Sequence, residues 1–258
     1  MDITVATFNL RTHRGRDGEN AWEQRVDAVA ATFTRLGATL VGTQEGHPEM
    51  LADLAARLPD FRWVGQSRFG EQPDEYCALF YRPAEVEIDA VGHFWLSETP
   101  DVPASQSWES SLPRMCTWAR CRFGASGPAL TVYNTHLDHV SERARLEGVR
   151  VIARALEARR RDDHLPALLM GDLNAGWGSA PLRFLREDLG LRDAFAASGP
   201  EAVGRTFHGF AGGSAGDPID YIFGTPDLAL RGAQVFREQI GGRYPSDHYP
   251  LVARVHWT

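Results

Sequence analysis

Apolar runs and helical repeats alternate along this chain, and they do so twice in the same order. Ile3 to Phe8 is a continuous β-prone run that ends at Asn9. A loop rich in Arg and Gly follows. Trp22, Val26, Val29, Phe33 and Leu36 then recur at the spacing of one helix face, and Gly37 stops the pattern. The predicted helix spans about Ala21 to Leu36. Asn20 is its expected N-cap, with Glu23 three residues on as in a capping box. "TLVGTQE" reads as a short strand ending at Glu45. The second passage starts with "ALTVYNTH", a strand that carries Asn134 and His136 at its end. Ser141 opens a helix with Leu146, Val149, Ile152 and Leu156 on one face. "PALLMGDLN" closes the passage at Asp172 and Asn174, and its nearly unbroken apolar run predicts a strand covered on both faces.

The intervening region is mostly strand. "YCALFYR" and "EVEIDAVGHFWL" are separated by Pro83, and "MCTWARCRF" is expected to pair with "ALTVYNTH" through the turn "GASGP". After Asp172 come a short helix near Pro181 to Leu189, then "PIDYIFG", "LALRGAQVFRE" and a final strand in which Ala253 to Trp257 alternates. No linker or composition break divides the chain, so residues 1–258 are read as one domain. The expected fold is α/β, with two packed β-sheets and helices outside. Polar residues are released where strands end, which is where ligands gather in open α/β sheets. "ASQSWESSLPR" is expected to lie over one rim.

Composition narrows the partners. A hydrophobic share of 43% and a charged share of 24% suit a chain with a sizeable core. The net charge of -7 argues against a sequence-blind grip on a long nucleic acid. Cys77, Cys116 and Cys121 are odd in number and lie in apolar runs, which fits free thiols in a reducing compartment. The N-terminal "MDITVATFNL" lacks the basic and apolar regions of a signal peptide, and no stretch is long enough to cross a bilayer. The expectation is a cytoplasmic monomer without membrane attachment.

The chemistry lies in Asn9, Glu45, Asn134, His136, Asp172, Asn174, Asp220, Asp247 and His248, all at or near strand ends. Singly, each has a structural reading: a turn cap, an Asx-turn at Asp172-Leu173-Asn174, an ion pair for Asp220. Together, carboxylates and amides at one sheet edge make an all-oxygen cation site suited to Mg²⁺ or Mn²⁺. Histidines beside such a site can polarise an anionic substrate, and the set is equipped for phosphate-ester hydrolysis.

"ATFNLR", "GTQE", "YNTHLDH", "MGDLN", "PIDYIF" and "YPSDHYPL" resemble, in order from Thr7 to His248, the signature motifs of the DNase I-like endonuclease/exonuclease/phosphatase superfamily. "FWLSETP", "LPRMCTW" and "TFHGF" resemble an uncharacterised bacterial branch of it. The resemblance implies a four-layer α/β sandwich, two mixed β-sheets flanked by helices, with the site at the rim where the sheets meet. It implies a Mg²⁺- or Mn²⁺-dependent phosphoesterase acting on a nucleic acid or a small phosphorylated metabolite. Glu45 is then the principal metal ligand, Asn9 a neighbouring ligand or orienter, and Asp247 a second ligand or hydrogen-bond partner. Asp172 positions or deprotonates the attacking water, and Asn174 holds that water or a phosphate oxygen. His248 contacts the scissile phosphate while Asp220 orients and charges it, His136 donates to a phosphate oxygen, and Asn134 supports that loop. One departure is "LRTHRGRDGEN" after Asn9, where relatives carry an acidic residue. Asp17 fills that place only if the loop folds back, and Arg11 and Arg14 are alternatives for meeting phosphate.

Flanking candidates for the substrate are Asn134, His208, Arg114 and Trp108, with His139, Arg143 and Tyr244 nearby. Each competes with a packing reading: a turn histidine for His208, an aromatic anchor for Trp108. Arg159 to Arg161 read as a solvated helix end, and Trp22 and Trp63 as core. The alternative to an enzyme is an inactive scaffold. That reading requires the loss of some of Glu45, Asp172, Asp247 and His248, and all are present.

Overall fold

A computed structural model describes residues 2–196 and 199–258. β1 (Asp2–Asn9), α1 (Trp22–Leu36) and β2 (Leu40–Gly46) form the first strand–helix–strand unit, with β1 and β2 parallel. After α2 (Pro48–Arg57), β3 (Arg62–Val64) and β4 (Ser67–Phe69) both pair antiparallel with β5 (Gln72–Tyr81), which also pairs with β2. β6 (Val86–Trp95), β7 (Met115–Phe123) and β8 (Ala129–His136) are an antiparallel meander, with "MCTWARCRF" on "ALTVYNTH" as expected. α3 (Glu142–Asp163) crosses to β9 (Ala167–Asp172), parallel to β8. Then come α4 (Ala180–Arg183), β10 (Arg192–Asp193), β11 (Asp220–Gly224), β12 (Leu228–Val235) and β13 (Leu251–Trp257), which pairs with β1. One mixed sheet runs β12-β13-β1-β2-β5-β3 with β4 on β5, and the other runs β10-β11-β9-β8-β7-β6.

Periodicity explains the layering. Val26, Val29 and Phe33 of α1 are buried against Phe8 and Val41 on the outer face of the first sheet, together with Leu51 and Leu54 of α2. Alternate strand residues point the other way, so Val5, Leu40 and Leu79 join Leu130, Val132 and Ile222 between the sheets. Val149, Ile152 and Leu156 of α3 cover the second sheet. The result is a four-layer sandwich of helices, sheet, sheet and helix. Each fully buried Val, Leu or Phe contributes about 1.5–3 kcal/mol of transfer free energy.

One side chain stitches the two sheets. Asn134 of β8 donates to Thr43 O and Ala78 O, both at 2.9 Å, and its Oδ1 accepts from Gln44 Nε2 at 2.7 Å. Gly42 makes room, because a Cβ there would come within 2.7 Å of Asn134 Oδ1 and Met170 Sδ. Asn134 is therefore buried between the sheets and not exposed to ligand, a correction to its expected substrate contact.

Other local expectations differ too. The cap of α1 is Ala21, without a side-chain bond, because Asn20 already belongs to a 3₁₀ turn over Gly18–Asn20. The expected helix over Pro181 to Leu189 is an α-turn at Ala180–Arg183 that widens into a π-turn over Phe184–Asp188. Gly37 (φ 58°) ends α1, and Ser141 accepts from Ala144 N to cap α3, as read from the sequence. Arg159 stacks its guanidinium 3.3 Å from the Trp118 ring, so it is not simply solvated. The cysteines are free and buried.

Candidate active site

Strand register assembles the site. His136 ends β8 opposite Asp172 at the end of β9, and Asp172 lies opposite Asp220 at the start of β11. Three titratable side chains thus occupy adjacent strand ends on the second sheet. On the first sheet Asn9 ends β1 beside β2, whose Glu45 sits in a β-bulge between Thr43 and Gly46 with φ 63°. A left-handed non-glycine residue is a conformation that the surrounding structure must hold, and a bulge re-aims a side chain. Gly171, just before Asp172, has φ 148°, and a Cβ there would lie 1.9 Å from Thr135 O. Only glycine lets β9 approach β8 this closely.

The two halves meet at Asn9. Its Nδ2 donates to Glu45 Oε1 and to Asp172 Oδ2, each at 2.9 Å, while its Oδ1 accepts from Arg11 N at 3.0 Å. Glu45 Oε2 also accepts from Thr12 N at 2.8 Å. Asn9 thus presents a donor between two carboxylates and acts as their orienter. Ser246 Oγ donates to Asn9 O at 2.7 Å and ties in the last loop.

Asp172 is buried, and burial followed by the charge of Asp220 raises its pKa to about 7. Asn174 N donates to Asp172 Oδ1 at 2.9 Å. Two histidines flank the carboxylate: His136 Nε2 at 3.4 Å and His248 Nε2 at 3.7 Å from Asp172 Oδ2. Their charges differ. Burial, then Arg114 and His248, holds His136 well below the usual imidazole range. Burial pulls His248 down as well, but Asp220, Asp172 and Asp247 outweigh it and raise His248 to about 10. His248 Nδ1 donates to Asp220 Oδ2 at 2.8 Å.

His136 departs from expectation. Asn174 Nδ2 donates both to Leu137 O and to His136 Nε2, each at 3.0 Å. The carbonyl fixes the amide orientation, so Nε2 of the neutral ring accepts and the ring proton lies on Nδ1. In this state Nε2 offers no proton to a phosphate oxygen.

Glu45, His136, Asp172, Asn174, Asp247 and His248 line a cleft of about 320 Å³ that also includes Arg11, Arg68, Glu75, Arg114, His139 and Phe207, while Asn9 and Asp220 stand behind it. Arg11 forms a two-point ion pair with Asp17 and lies 3.6 Å from Asp247; the loop folds back, but it brings Arg11 and not Asp17 to the cleft. Arg14 instead binds Asp74. The polar loop reaches the rim through Asp138, which accepts from Ser111 N, Val140 N and Ser141 N and lies 3.6 Å from Arg114 Nε. Besides Asn134, two more expected substrate contacts are not in the cleft. His208 is buried and stacks on Tyr249 at 3.8 Å, beside Tyr244. Trp108 packs against the central core, and its carbonyl accepts from Ser141 Oγ. Arg143 faces Glu109 at the exposed surface.

Sequence reasoning missed three residues. Arg68 and Glu75 gave no motif, only charges in a strand-rich stretch. Arg25 was hidden on a helix, yet its buried guanidinium donates to Leu10 O, Arg11 O, Asn20 O and Pro245 O. It braces both loops that carry the site.

A hard divalent cation fits the donor set. Glu45, His136 and Asp172 offer ligand atoms within 4.8 Å of one another. Glu45 and Asp172 are bridged by the neutral Asn9 amide, and Glu45 faces the cleft beside Asp172 with room for a cation. The two carboxylates supply hard oxygen donors and His136 a nitrogen, a mixed set that can hold a divalent cation.

Known proteins place this geometry. The endonuclease/exonuclease/phosphatase family model matches residues 6–248. An endonuclease/exonuclease/phosphatase family protein from Bacteroides thetaiotaomicron superposes with a TM-score of 0.93 at 31% identity, covering 99% of this chain and 95% of that one. A mannosyl-6-phosphatase from Bacteroides thetaiotaomicron VPI-5482 does so with a TM-score of 0.93 at 31% identity, covering 99% and 100%. The human nocturnin catalytic domain, at 19% identity and a TM-score of 0.76, covers 100% of this chain and 95% of its own, and it shares the fold. No curated protein sequence matches the chain. Members of the family are hydrolases of phosphate esters. With the family model matched over residues 6–248 and a family member's structure superposing over 99% of its length, this chain belongs to the endonuclease/exonuclease/phosphatase family.

Proposed function

We propose that this protein is a Mg²⁺- or Mn²⁺-dependent phosphomonoesterase that hydrolyses a small phosphorylated molecule by direct in-line attack of water. The observation that carries this reading is the placement of Asp172: a buried carboxylate lining the cleft, held by Asn9 and Asn174 and flanked by His136 Nε2 at 3.4 Å and His248 Nε2 at 3.7 Å, with burial raising its pKa. A base near the working pH accepts a proton efficiently. Water bound at Asp172 gives its proton to the carboxylate as its oxygen bonds to phosphorus, the P–O ester bond breaks with its electron pair going to the leaving oxygen, and that oxygen takes a proton from solvent while Asp172 returns its own to solvent. The backbone N–H of Asn174 fixes the Asp172 carboxylate, and the His136 acceptor fixes the Asn174 amide. His248, kept charged by Asp220, offsets negative charge on the phosphate through Nε2. Arg114 adds charge from the cleft wall. Glu45, with Asp247 as a second oxygen ligand, would hold the cation, which when bound supplies Lewis-acid stabilisation of phosphoryl charge.

A small substrate is supported by the cleft volume of about 320 Å³, by the net charge of -7, and by likeness to a mannosyl-6-phosphatase. The test is a substrate panel with Mg²⁺ or Mn²⁺: sugar phosphates, nucleotides, inositol phosphates, single- and double-stranded DNA, and RNA. Phosphate release from small monoesters is expected. Cleavage of polynucleotides alone contradicts the reading.

A further inference from the structure

One wall of the cleft has no part in the phosphate chemistry. Arg68 Nη1 donates to Glu75 Oε2 at 2.8 Å, and Arg68 Nε lies 2.7 Å from Asp74 Oδ1. Arg14 Nη1 donates to Asp74 Oδ2 at 2.7 Å and holds the pair from behind. Both side chains line the cleft while only 11% and 16% exposed, so each is locked in place. Arg68 and Arg14 are thus matched by Asp74 and Glu75, so Arg68 is engaged by carboxylates on both sides and is not a free clamp for a phosphate dianion. Burial raises Glu75 to about 7 against the pull of Arg68, and in its ionised form it also repels any second phosphate, such as the next one along a polynucleotide. A wall built for phosphate alone presents donors. This one presents an acceptor beside donors.

That pattern complements a hydroxyl, which both donates and accepts, and a rigid carboxylate–guanidinium pair meets neighbouring hydroxyls without ordering cost. His139 extends it: Arg114 Nη2 donates to its Nδ1 at 2.9 Å, which leaves an N–H on Nε2. Both Arg114 and His139 line the same cleft.

We propose that Arg68, Glu75 and His139 form a subsite for a hydroxyl-bearing leaving group, and that the substrates are phosphate monoesters of sugars or other polyols. This rests on the phosphomonoesterase reading above. The experiment compares kcat/KM of the wild-type protein and Glu75→Gln on glucose 6-phosphate, mannose 6-phosphate, their mono-deoxy analogues, and p-nitrophenyl phosphate, whose leaving group has no further hydroxyl. Glu75→Gln should lower the ratio of sugar phosphate to p-nitrophenyl phosphate about tenfold to a hundredfold, the scale of a hydrogen bond to a charged group. In the wild type at least one deoxy analogue should show a penalty of that size, and Glu75→Gln should remove it. An unchanged ratio, an equal loss on both substrate types, or no deoxy penalty in the wild type overturns the subsite. Turnover of p-nitrophenyl phosphate without any sugar phosphate overturns the subsite and leaves the phosphoesterase reading standing. Turnover of neither overturns both.

Discussion

His248 Nδ1 lies 2.8 Å from Asp220 Oδ2, and both side chains are buried. The pair sets the charge of the ring that faces Asp172. Its folded pKa of about 10 exceeds the ordinary 6.5, so the pairing stabilises the metal-free fold fully below about pH 6.5 and is lost as pH rises through about 10. Asp220→Asn should therefore bring the His248 ring titration, followed by NMR, down by several units and cut kcat on the order of 10²-fold. A titration that stays near 10 in the variant would show that Asp220 does not charge the ring.

Glu45 should govern cation affinity. Activity should vanish in EDTA and return with Mg²⁺ or Mn²⁺, and the cation should raise the wild-type melting temperature. Glu45→Gln should require at least tenfold more cation for half-maximal activity and lose most of the thermal shift. Equal cation titrations in the two proteins would move the ligand role elsewhere.

Arg25 should matter for stability more than any surface arginine. Its guanidinium satisfies four backbone carbonyls, and burial lowers its pKa to about 10. Arg25→Met should cost about 3 kcal/mol in urea unfolding, since it leaves buried acceptors unpaired. A loss below about 0.5 kcal/mol would show that those loops hold without it.

Acid should weaken the fold through buried neutral histidines. Burial lowers His93 and His208 to about 4, from 6.5. A lowered folded pKa means that their contribution is present above pH 6.5 and lost as pH falls towards 4. Thermal melts should decline across that window, and His93→Gln should flatten the slope. A variant with an unchanged slope would remove His93 from the acid response.

Much of this was legible in the sequence. Continuous runs such as "PALLMGDLN" and the helical repeat from Trp22 to Leu36 fixed the strand–helix–strand units, and strand-end polar residues marked the cleft. What escaped was set by register and side-chain direction. Asn134 lies in a strand-end motif like His136 but two residues earlier, on the same face of β8, where the first sheet already covers it. His208 and Trp108 follow loop paths that no periodicity encodes, and both turn towards packed neighbours. Arg68 and Glu75 meet only because the short β4 folds back on β5 through the two-residue turn Gly70–Glu71, a lone glycine signal in a stretch with little strand periodicity.

The central claim is that Asp172 and a cation beside Glu45 hydrolyse phosphate monoesters. Its most direct test is inorganic phosphate release from hexose 6-phosphates by the wild type and Asp172→Asn, with Mn²⁺ or Mg²⁺ and with EDTA. The expected result is turnover that needs the cation and falls at least about 10²-fold in the variant. Turnover that survives EDTA, or near wild-type rates in Asp172→Asn, would contradict it.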